Sequence, residues 1–537
     1  MPEPRPAPDR PGQAGAPRIA SPAAARGPSV KALWLLTAGV FAVLYVATAQ
    51  RGVSWQDSGM FQFRVWRGDY YGDLGLALAH PLYIAGARAF TALWPGHLPF
   101  MLNAFSGIGM AVALANLAAV ATLLTGRRWI GFAAAAMLGV AHTPWWLSTI
   151  AQVRTWTLAD LTVELWLLVL LLRRPRWQTL AALAFVSGLG WTLHNFALLA
   201  LPVYLVVAVA LLVRRKLPAW SAVLAAAAYL IGAGPYLAMI VREAFRLEDG
   251  VAAIRSALFG NTFAAAVLNI GSSSKYLKEN AALTSLNFVS FLLPLAAIGW
   301  AGFRRRLGAP LAACLAAITV IMVLFVIRYP VPDQFNFTLP ALVMIALAAA
   351  VGLAVLTDAS ANWRRAAIAA CVISVVLPPV VYAAGPTLVR LAGFKVQVNR
   401  QPMRDEIRYW VAPWKQNERS AELFAVSALR QASGDMDTPA GVIVPDDTSR
   451  FPLLLKQQQG LYPGVIVQYR GKPLPGYDAD PRAFRAALGD RPVFVVTPLP
   501  GHAPAGLLKD ADFTRGPEGV LYRVKFRIAS PESRSTK

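Results

Sequence analysis

Residues 54–63 read SWQDSGMFQF, and they follow closely on the first long apolar run of the chain, at 31–49. An acid, Asp57, comes after a tryptophan and before Ser-Gly, and the chain then turns aromatic and apolar again. A carboxylate in that place is either a solvated loop or helix-capping residue or a group that handles a proton. Which of the two applies depends on the side of the membrane it occupies and on the neighbours that the rest of the chain supplies.

The chain has 537 residues, 56% of them hydrophobic and 15% charged. Soluble domains usually carry about a quarter charged residues, and several apolar runs here reach the roughly 18–20 residues that span a bilayer core as a helix. The chain is therefore read as a polytopic membrane protein. The net charge of +23, from 51 Lys and Arg against 28 Asp and Glu, does not point to nucleic acid. The basic residues fall in doublets and triplets between apolar runs, as topology signals do, and can also hold anionic membrane lipids. Cys314 and Cys371 lie inside apolar runs and read as small packing residues, with neither a disulfide framework nor a cysteine metal site.

About eleven transmembrane helices are expected, near 31–49, 98–124, 129–147, 157–172, 178–193, 197–213, 218–240, 287–303, 309–327, 336–356 and 365–384. Arg127-Arg128, Arg173-Arg174 with Arg176, Arg214-Arg215-Lys216, Arg304-Arg305-Arg306 and Arg364-Arg365 then share one side with the Arg-containing N-terminus. The positive-inside rule makes that side cytoplasmic. The first long loop, 50–97, becomes an outer loop, part of it an amphipathic interfacial helix. The loop 242–285, the stretch RYPVPDQFNF at 328–337 and everything after 385 lie outside as well.

Residues 1–30, rich in Pro, Ala and Arg, read as a disordered tail, and 31–384 as the membrane domain. From 385 to 528 the composition becomes mixed and polar. AGVIVPDD, PGVIVQY and RPVFVVTP read as short buried strands, while SRFPLLLKQQQG and RSAELFAVSALRQASG read as helices, the second with a glycine to cap it. This predicts a small outer α/β domain, followed by a loose tail at 529–537. PDDTSR, at 445–450, follows a strand as a ligand loop does in an open α/β sheet, but it has no glycine-rich phosphate fingerprint. The domain is read as an acceptor-binding or structural module without catalytic residues.

Polar groups gather on the outer side. The first loop has Asp57, Asp69, Asp73 and His80; Arg154, His194, Arg242, Lys275, Arg328 and Asp333 come from other outer connections. Carboxylate, cations and aromatics on one membrane face suit transfer from a lipid-phosphate donor, with a carboxylate as general base and Arg or Lys holding the phosphate. Each residue also has a plainer reading. Asp69 and Asp73 sit beside glycines as turn residues do, His80 can end an interfacial helix before Pro81, and Arg154 can be an interfacial anchor. His194 can be an ordinary interfacial histidine, Arg328 and Asp333 can pair with each other, and Lys275 sits in a flexible Gly/Ser loop that can close over a donor.

WQDSGMFQF, followed by AHPLY, resembles the opening of domain of unknown function 2723, a protein O-mannosyltransferase-like family of the GT-C glycosyltransferase superfamily. The likeness covers Asp57, Ser58, Gly59, His80, Pro81 and Tyr83, and extends to LNAFSG at 102–107, GPY at 234–236 and VPDQFNFTLPALVMIAL at 331–347. It implies a transferase that uses a polyprenyl-phosphate sugar with inversion and Asp57 as base. Together with the reading of the outer loops, Asp57 and His80 are taken as catalytic, and Tyr83, Arg154, His194, Lys275, Arg328 and Asp333 as substrate-binding. Where the family often carries Glu-Val-Tyr, this chain reads QVRTW at 152–156, so Gln152 stands for the family's Glu and a divalent metal stays open.

The function expected is therefore an integral membrane glycosyltransferase moving a mannose-like sugar to a protein, lipid or glycan acceptor on the outer face. The Ala, Arg and Pro bias points to a bacterial source and so to the inner membrane, with the C-terminal domain periplasmic. The alternatives are a transporter or flippase for a lipid-linked substrate, and a non-catalytic assembly factor. Transporters carry polar residues at mid-membrane and often inverted repeats. No repeat is evident here, and only Asp160 and Glu164 break an otherwise uncharged helix interior.

Overall fold

The computed structural model describes residues 29–260, 263–393, 401–434, 439–469, 471–516 and 519–527. The tails expected at 1–30 and 529–537 lie outside the described residues, apart from the first turn of α1 (Val30–Thr48), which Ser29 caps by accepting from the Ala32 N–H at 3.2 Å. The first outer loop then carries two short helices, α2 (Gln56–Arg67) and α3 (Pro81–Thr91). The chain continues through α4 (Leu98–Thr125), α5 (Arg128–Gly139), α6 (His142–Ser148), α7 (Arg154–Arg173), α8 (Trp177–Leu193), α9 (Leu201–Val213) and α10 (Trp220–Leu247). The second outer connection holds α11 (Gly250–Phe259), α12 (Ala264–Leu268) and α13 (Ser274–Ser285). Four helices close the membrane domain: α14 (Leu292–Leu307), α15 (Ala309–Arg328), α16 (Leu339–Ala359) and α17 (Ala361–Leu391).

Every expected span is helical, but not every one is a straight crossing. Among the described residues seven helices are long and apolar enough to cross a bilayer: α1, α4, α7, α10, α15, α16 and α17. Two bent pairs, α5 with α6 at 73° and α13 with α14 at 82°, raise the number to nine, below the eleven expected. The shortfall lies in α8 and α9, of 17 and 13 residues. At 1.5 Å per residue α8 still covers about 25 Å. It runs from the basic turn at Arg176 to His194, whose ring stacks on His80 of the outer loop, so it links the two faces although short. The last membrane helix also continues seven residues past 384, to Leu391.

Apolar side chains do not drive helix association in lipid, so close backbone approach must. On Gly299 of α14 a Cβ would fall on the Ala348 carbonyl, and on Gly352 of α16 it would fall on the Leu295 carbonyl. Gly188 of α8 and Gly232 of α10 make the same reciprocal crossing, against the carbonyls of Tyr229 and Phe185. These two crossings fix the helix pairs that flank the outer site.

The C-terminal domain, termed the outer domain for its expected side, contains α18 (Glu406–Val411), α19 (Ser420–Ala432), β1 (Val442–Val444), α20 (Arg450–Gln458), β2 (Ile466–Val467), α21 (Pro481–Leu488), β3 (Val493–Val495), α22 (Ala505–Asp510), β4 (Ala511–Arg515) and β5 (Tyr522–Phe526). The three expected strands are β1, β2 and β3; the β4–β5 pair, with more polar alternation, was not expected. The sheet runs β2-β1-β3-β5-β4, parallel between β1 and both its neighbours and antiparallel beyond β3. Gly434, at φ +72°, ends the turn after α19 in the left-handed conformation that favours glycine.

This domain is anchored in the membrane domain. Trp410 stacks on Trp146 at 5.4 Å, and the carbonyls of Tyr409, Trp410 and Pro413 accept hydrogen bonds from Trp146 Nε1, His142 Nε2 and Thr149 Oγ1 at 3.1, 2.8 and 2.7 Å. Trp55, beside Asp57, donates to Ser420 Oγ at 2.8 Å. Replacing Gly232 or Gly352 by valine is expected to remove about 1–3 kcal/mol of stability by overpacking. Thermal unfolding in detergent, followed by size-exclusion chromatography, should show lower melting points and a smaller monodisperse fraction for both variants than for a lipid-facing Val223→Ala control.

Candidate active site

The turn that carries Asp57 is held by a closed set of polar side chains. Gln62 Oε1 accepts from the Ser54 N–H at 2.9 Å, and Gln62 Nε2 donates to Asn103 Oδ1 at 3.2 Å. Asn103 in turn donates to the Gln50 carbonyl at 2.8 Å, and Gln50 donates to the Val53 carbonyl at 2.7 Å. Buried polar groups must be paired, and here the pairing fixes how the chain enters α2. Gln56 takes a left-handed φ of +54° and donates its N–H to the Thr448 carbonyl of the outer domain at 3.1 Å. Asp57 follows in the first turn of α2, where a helix N-terminus favours negative charge.

A second chain of contacts runs through the QVRTW turn. Tyr83 OH lies 3.2 Å from Ser106 Oγ, which accepts the Gln152 N–H at 2.8 Å. Gln152 Oε1 accepts from Arg154 Nη1 at 2.9 Å, and Arg154 Nη2 reaches Asp333 Oδ2 at 3.5 Å. Asn336 donates to the same oxygen at 2.9 Å. Arg154 is 9% exposed, with its guanidinium 4.3 Å from the Phe337 ring centre and its Nε buried without a hydrogen-bond partner among the described residues. Tyr83, Ser106, Gln152, Arg154, Asp333 and Asn336 thus form one connected chain through a single guanidinium.

His80 caps α3 in a left-handed conformation, φ 51°, because Arg64 pins the preceding turn by donating to the Leu78 and Ala79 carbonyls at 2.8 and 2.7 Å. Its Nδ1 lies 2.7 Å from the Leu193 carbonyl, so Nδ1–H donates and Nε2 is left as an acceptor. His194 stacks on it at 5.0 Å, with Nδ1 accepting from the Phe196 N–H at 3.1 Å. Burial, with the charge of Arg64 adding to it, brings His80 down to about 3. Burial also takes His194 well below the usual histidine value. Both rings are neutral at pH 7 and act as hydrogen-bonding groups, not cations.

Asp57 behaves in the opposite sense. Its carboxylate is accessible from the outer cleft, yet protein walls surround it on the other sides. That crowding, followed by repulsion from Asp333, pushes its carboxyl up to about 6; Arg154 opposes the rise and Asp447 adds to it. Arg154 is the common neighbour, since its charge acts on Asp57, His80 and His194 alike.

Beneath Arg154 a narrow crevice of ≈ 20 Å³ opens between α7, α15 and α16. Thr157, Leu158, Leu161, Phe196, Met322 and Leu339 make it almost wholly apolar, with Arg154 and Asn336 at its polar end. Two of the residues singled out in the sequence lie elsewhere. Arg328 donates to the Val267 and Asn269 carbonyls at 2.7 and 2.6 Å and holds the α12 connection, so it is Arg154 that pairs with Asp333. Lys275 is exposed in the first turn of α13, a helix and not the flexible loop expected, with Nζ 5.6 Å from the Tyr276 ring centre. Asp69 accepts from the N–H groups of Tyr71 and Gly72, the turn role expected of it, and Asp73 pairs with Arg450 at 3.0 Å. Asp160 packs against Gly190, and Glu164, with no exposed surface, accepts from Tyr204 OH at 3.1 Å, sealed between α7, α8 and α9.

The outer domain contributes to the site, which sequence reasoning missed. The PDDTSR loop was noted as a possible ligand loop, but its packing on α2 brings together residues almost 400 positions apart, which no local pattern encodes. Arg64 was missed as well, because an arginine two turns into a short helix looks like an exposed one. Among the described residues no three His, Cys, Asp or Glu side chains cluster as ligands, and Gln152 is committed to Arg154.

The fold, a mainly helical membrane domain with a long first loop bearing an acid and a small C-terminal α/β domain packed over it, is similar to that of known membrane proteins. ArnT from Cupriavidus metallidurans bound to undecaprenyl phosphate superposes with a TM-score of 0.51 over 92% of this chain and 97% of that one, at 14% identity. The same protein in the apo state gives 0.51 over 87% and 93%, also at 14% identity. The archaeal oligosaccharyltransferase AglB from Archaeoglobus fulgidus, in complex with an inhibitory peptide and a dolichol-phosphate, gives 0.41 at 14% identity, covering 94% of this chain and 75% of that one. No family model and no curated protein sequence matches the chain.

Arg154→Met is expected to raise the Asp57 pKa further above the ordinary carboxylate range, because the opposing charge of Arg154 is lost while Asp333 remains. Infrared titration of the carboxyl band in the full-length protein, with Asp57→Asn as reference, measures the shift; an unchanged or lower value would contradict the arrangement.

Proposed function

We propose that the protein is an integral membrane glycosyltransferase that moves a sugar from a polyprenyl-phosphate donor to an acceptor hydroxyl on the outer, periplasmic face. The observation that carries this reading is the buried Arg154 guanidinium at the polar end of an apolar crevice, with Asp57 across from it. A lipid phosphate needs both features: an apolar channel for the prenyl chain and a donor group for the phosphate oxygens. The undecaprenyl phosphate held by ArnT, a protein of similar fold, supports a donor of this kind. The resemblance to the 2723 family supports a mannose-like sugar, which the residues themselves do not specify.

The chemistry follows from the charges. The acceptor hydroxyl lies against Asp57, which takes its proton as the oxygen attacks the anomeric carbon. The bond from that carbon to the phosphate oxygen breaks, its electron pair stays on the lipid phosphate, and Arg154 compensates the developing charge. A single displacement of this kind inverts the anomeric centre. Asp333, with Asn336, holds Arg154 in position and keeps the Asp57 carboxyl near neutrality, where a base has most use. Neutral His80 and His194 offer ring nitrogens to sugar hydroxyls without adding positive charge. Transport, the second reading, would rest on Asp160 and Glu164, of which Glu164 has no exposed surface and is held by Tyr204.

Purified full-length protein incubated with polyprenyl-phosphate sugars should release the lipid phosphate, by transfer or hydrolysis. Asp57→Asn should lower that rate at least ~100-fold, the size expected for loss of a general base. Since the base acts when ionised, activity should rise with pH and reach half its maximum at about 6. A variant that keeps parent activity, or a profile flat between pH 5 and 8, would overturn the role of Asp57. Arg154→Ala should weaken the apparent affinity for the lipid donor by about 10²-fold through loss of its phosphate contacts, read from KM.

A further inference from the structure

We infer that His80 and His194 act as a matched acceptor and donor that select the transferred sugar by one hydroxyl, which donates to His80 Nε2 and accepts from His194 Nε2–H. This names the substrate class of the proposed transferase, a sugar with an uncharged hydroxyl at that place, and rests on that reading for the presence of a lipid-linked sugar.

The backbone of one turn sets both rings. A carbonyl oxygen only accepts, so the 2.7 Å contact of His80 Nδ1 with the Leu193 carbonyl places the proton on Nδ1 and leaves Nε2 as an acceptor. His194 is fixed in the opposite sense. Its Nδ1 accepts from the Phe196 N–H at 3.1 Å, so the proton of the neutral ring sits on Nε2, which donates. Burial holds both rings below the usual histidine value, and neither takes up a second proton at pH 7. Neither Nε2 has a hydrogen-bond partner among the described residues, and neither is closed off from solvent.

The rings stack with their centres 5.0 Å apart and 16° between their planes. At that spacing a single oxygen can lie about 3 Å from a nitrogen of each ring. A hydroxyl is the group that satisfies both, since it donates and accepts at once. An ammonium can donate to His80 but leaves the His194 N–H facing another donor, and a carboxylate accepts from His194 but sets its lone pairs against His80. The stack stands beside the donor site. The Phe196 ring, 4.8 Å from that of His194, lines the crevice below Arg154, and the charge of Arg154 reaches both histidines. Arg64 holds His80 in place by binding the Leu78 and Ala79 carbonyls that precede it.

The test reads binding without turnover. Full-length protein carrying Asp57→Asn, in nanodiscs, is titrated with polyprenyl phosphate, with polyprenyl-phosphate mannose and glucose, and with the monodeoxy and monoamino forms of each sugar. Loss of one particular hydroxyl should weaken binding at least about 10-fold, and an amine in its place should bind no better. His80→Asn keeps an amide N–H for the Leu193 carbonyl, and His194→Asn keeps an oxygen for the Phe196 N–H, but both delete Nε2. Each should remove most of the penalty at that one position and leave free polyprenyl phosphate at parent affinity, whereas a merely structural role would weaken every ligand. Nitrogen-15 NMR of histidine-labelled protein should show a bare Nε2 in His80 and a protonated one in His194. A flat deoxy series, no binding of either sugar lipid, a penalty unmoved by both variants, an equal loss of free polyprenyl phosphate, or the reverse tautomers would overturn the inference. If the hydroxyl is read but the unaltered protein releases no lipid phosphate, the sugar site stands and the transferase reading alone fails; release with a flat deoxy series defeats this inference alone.

Discussion

A guanidinium buried at the edge of a membrane is costly unless it is paired, and the outer half of this protein is organised around that requirement. Arg154 is held by a neutral amide, Gln152, and by one carboxylate, Asp333, with an aromatic face beside it. Burial, followed by the charge of Asp333, lifts the Asp57 carboxyl, and Arg154 opposes the rise. The position of Gln152 follows the same logic. A glutamate there would quench the guanidinium and compete with any anion brought to it.

The rest of the architecture keeps this charge arrangement in register. The glycine crossings bring α8 to α10 and α14 to α16 at backbone distance. Ser106 and Asn103, both from LNAFSG on α4, tie the QVRTW turn and the entry to α2 to the same helix. The outer domain closes the remaining side. Its segment around Tyr409–Pro413 is sunk between aromatic residues of α6, so the loop that meets α2 is carried on a rigid anchor and not on a tether.

Much of the architecture was legible because the bilayer imposes simple rules. Long apolar runs, basic turns on one side and a late change of composition locate the membrane domain and the outer domain. The count of spans was less legible, since a 17-residue helix and a bent pair have the same average composition as a straight crossing. In the site, Asp57 and His80 from the first loop lie together with Arg154, His194 and Asp333, each of these three from a connection of its own. Arg328 and Lys275 stand on the same side but turn to local partners, because a carbonyl or a ring within reach satisfies a long cation as well as a ligand does. The stretch 445–450 was legible only as a possible ligand loop after a strand, and its packing on α2 was not. It depends on how one folded domain lies on another, and sequence periodicity carries no record of that.

The central claim is that Arg154 and the crevice below it hold a lipid phosphate opposite Asp57. A cryo-electron microscopy structure of the full-length chain in nanodiscs with polyprenyl phosphate tests it most directly. The account predicts phosphate oxygens within hydrogen-bond distance of the Arg154 guanidinium, the first isoprene units between α7, α15 and α16, and the Asp57 carboxylate facing the phosphate across the cleft. A phosphate seated away from Arg154, with the crevice closed and Asp57 turned to bulk water, would contradict it.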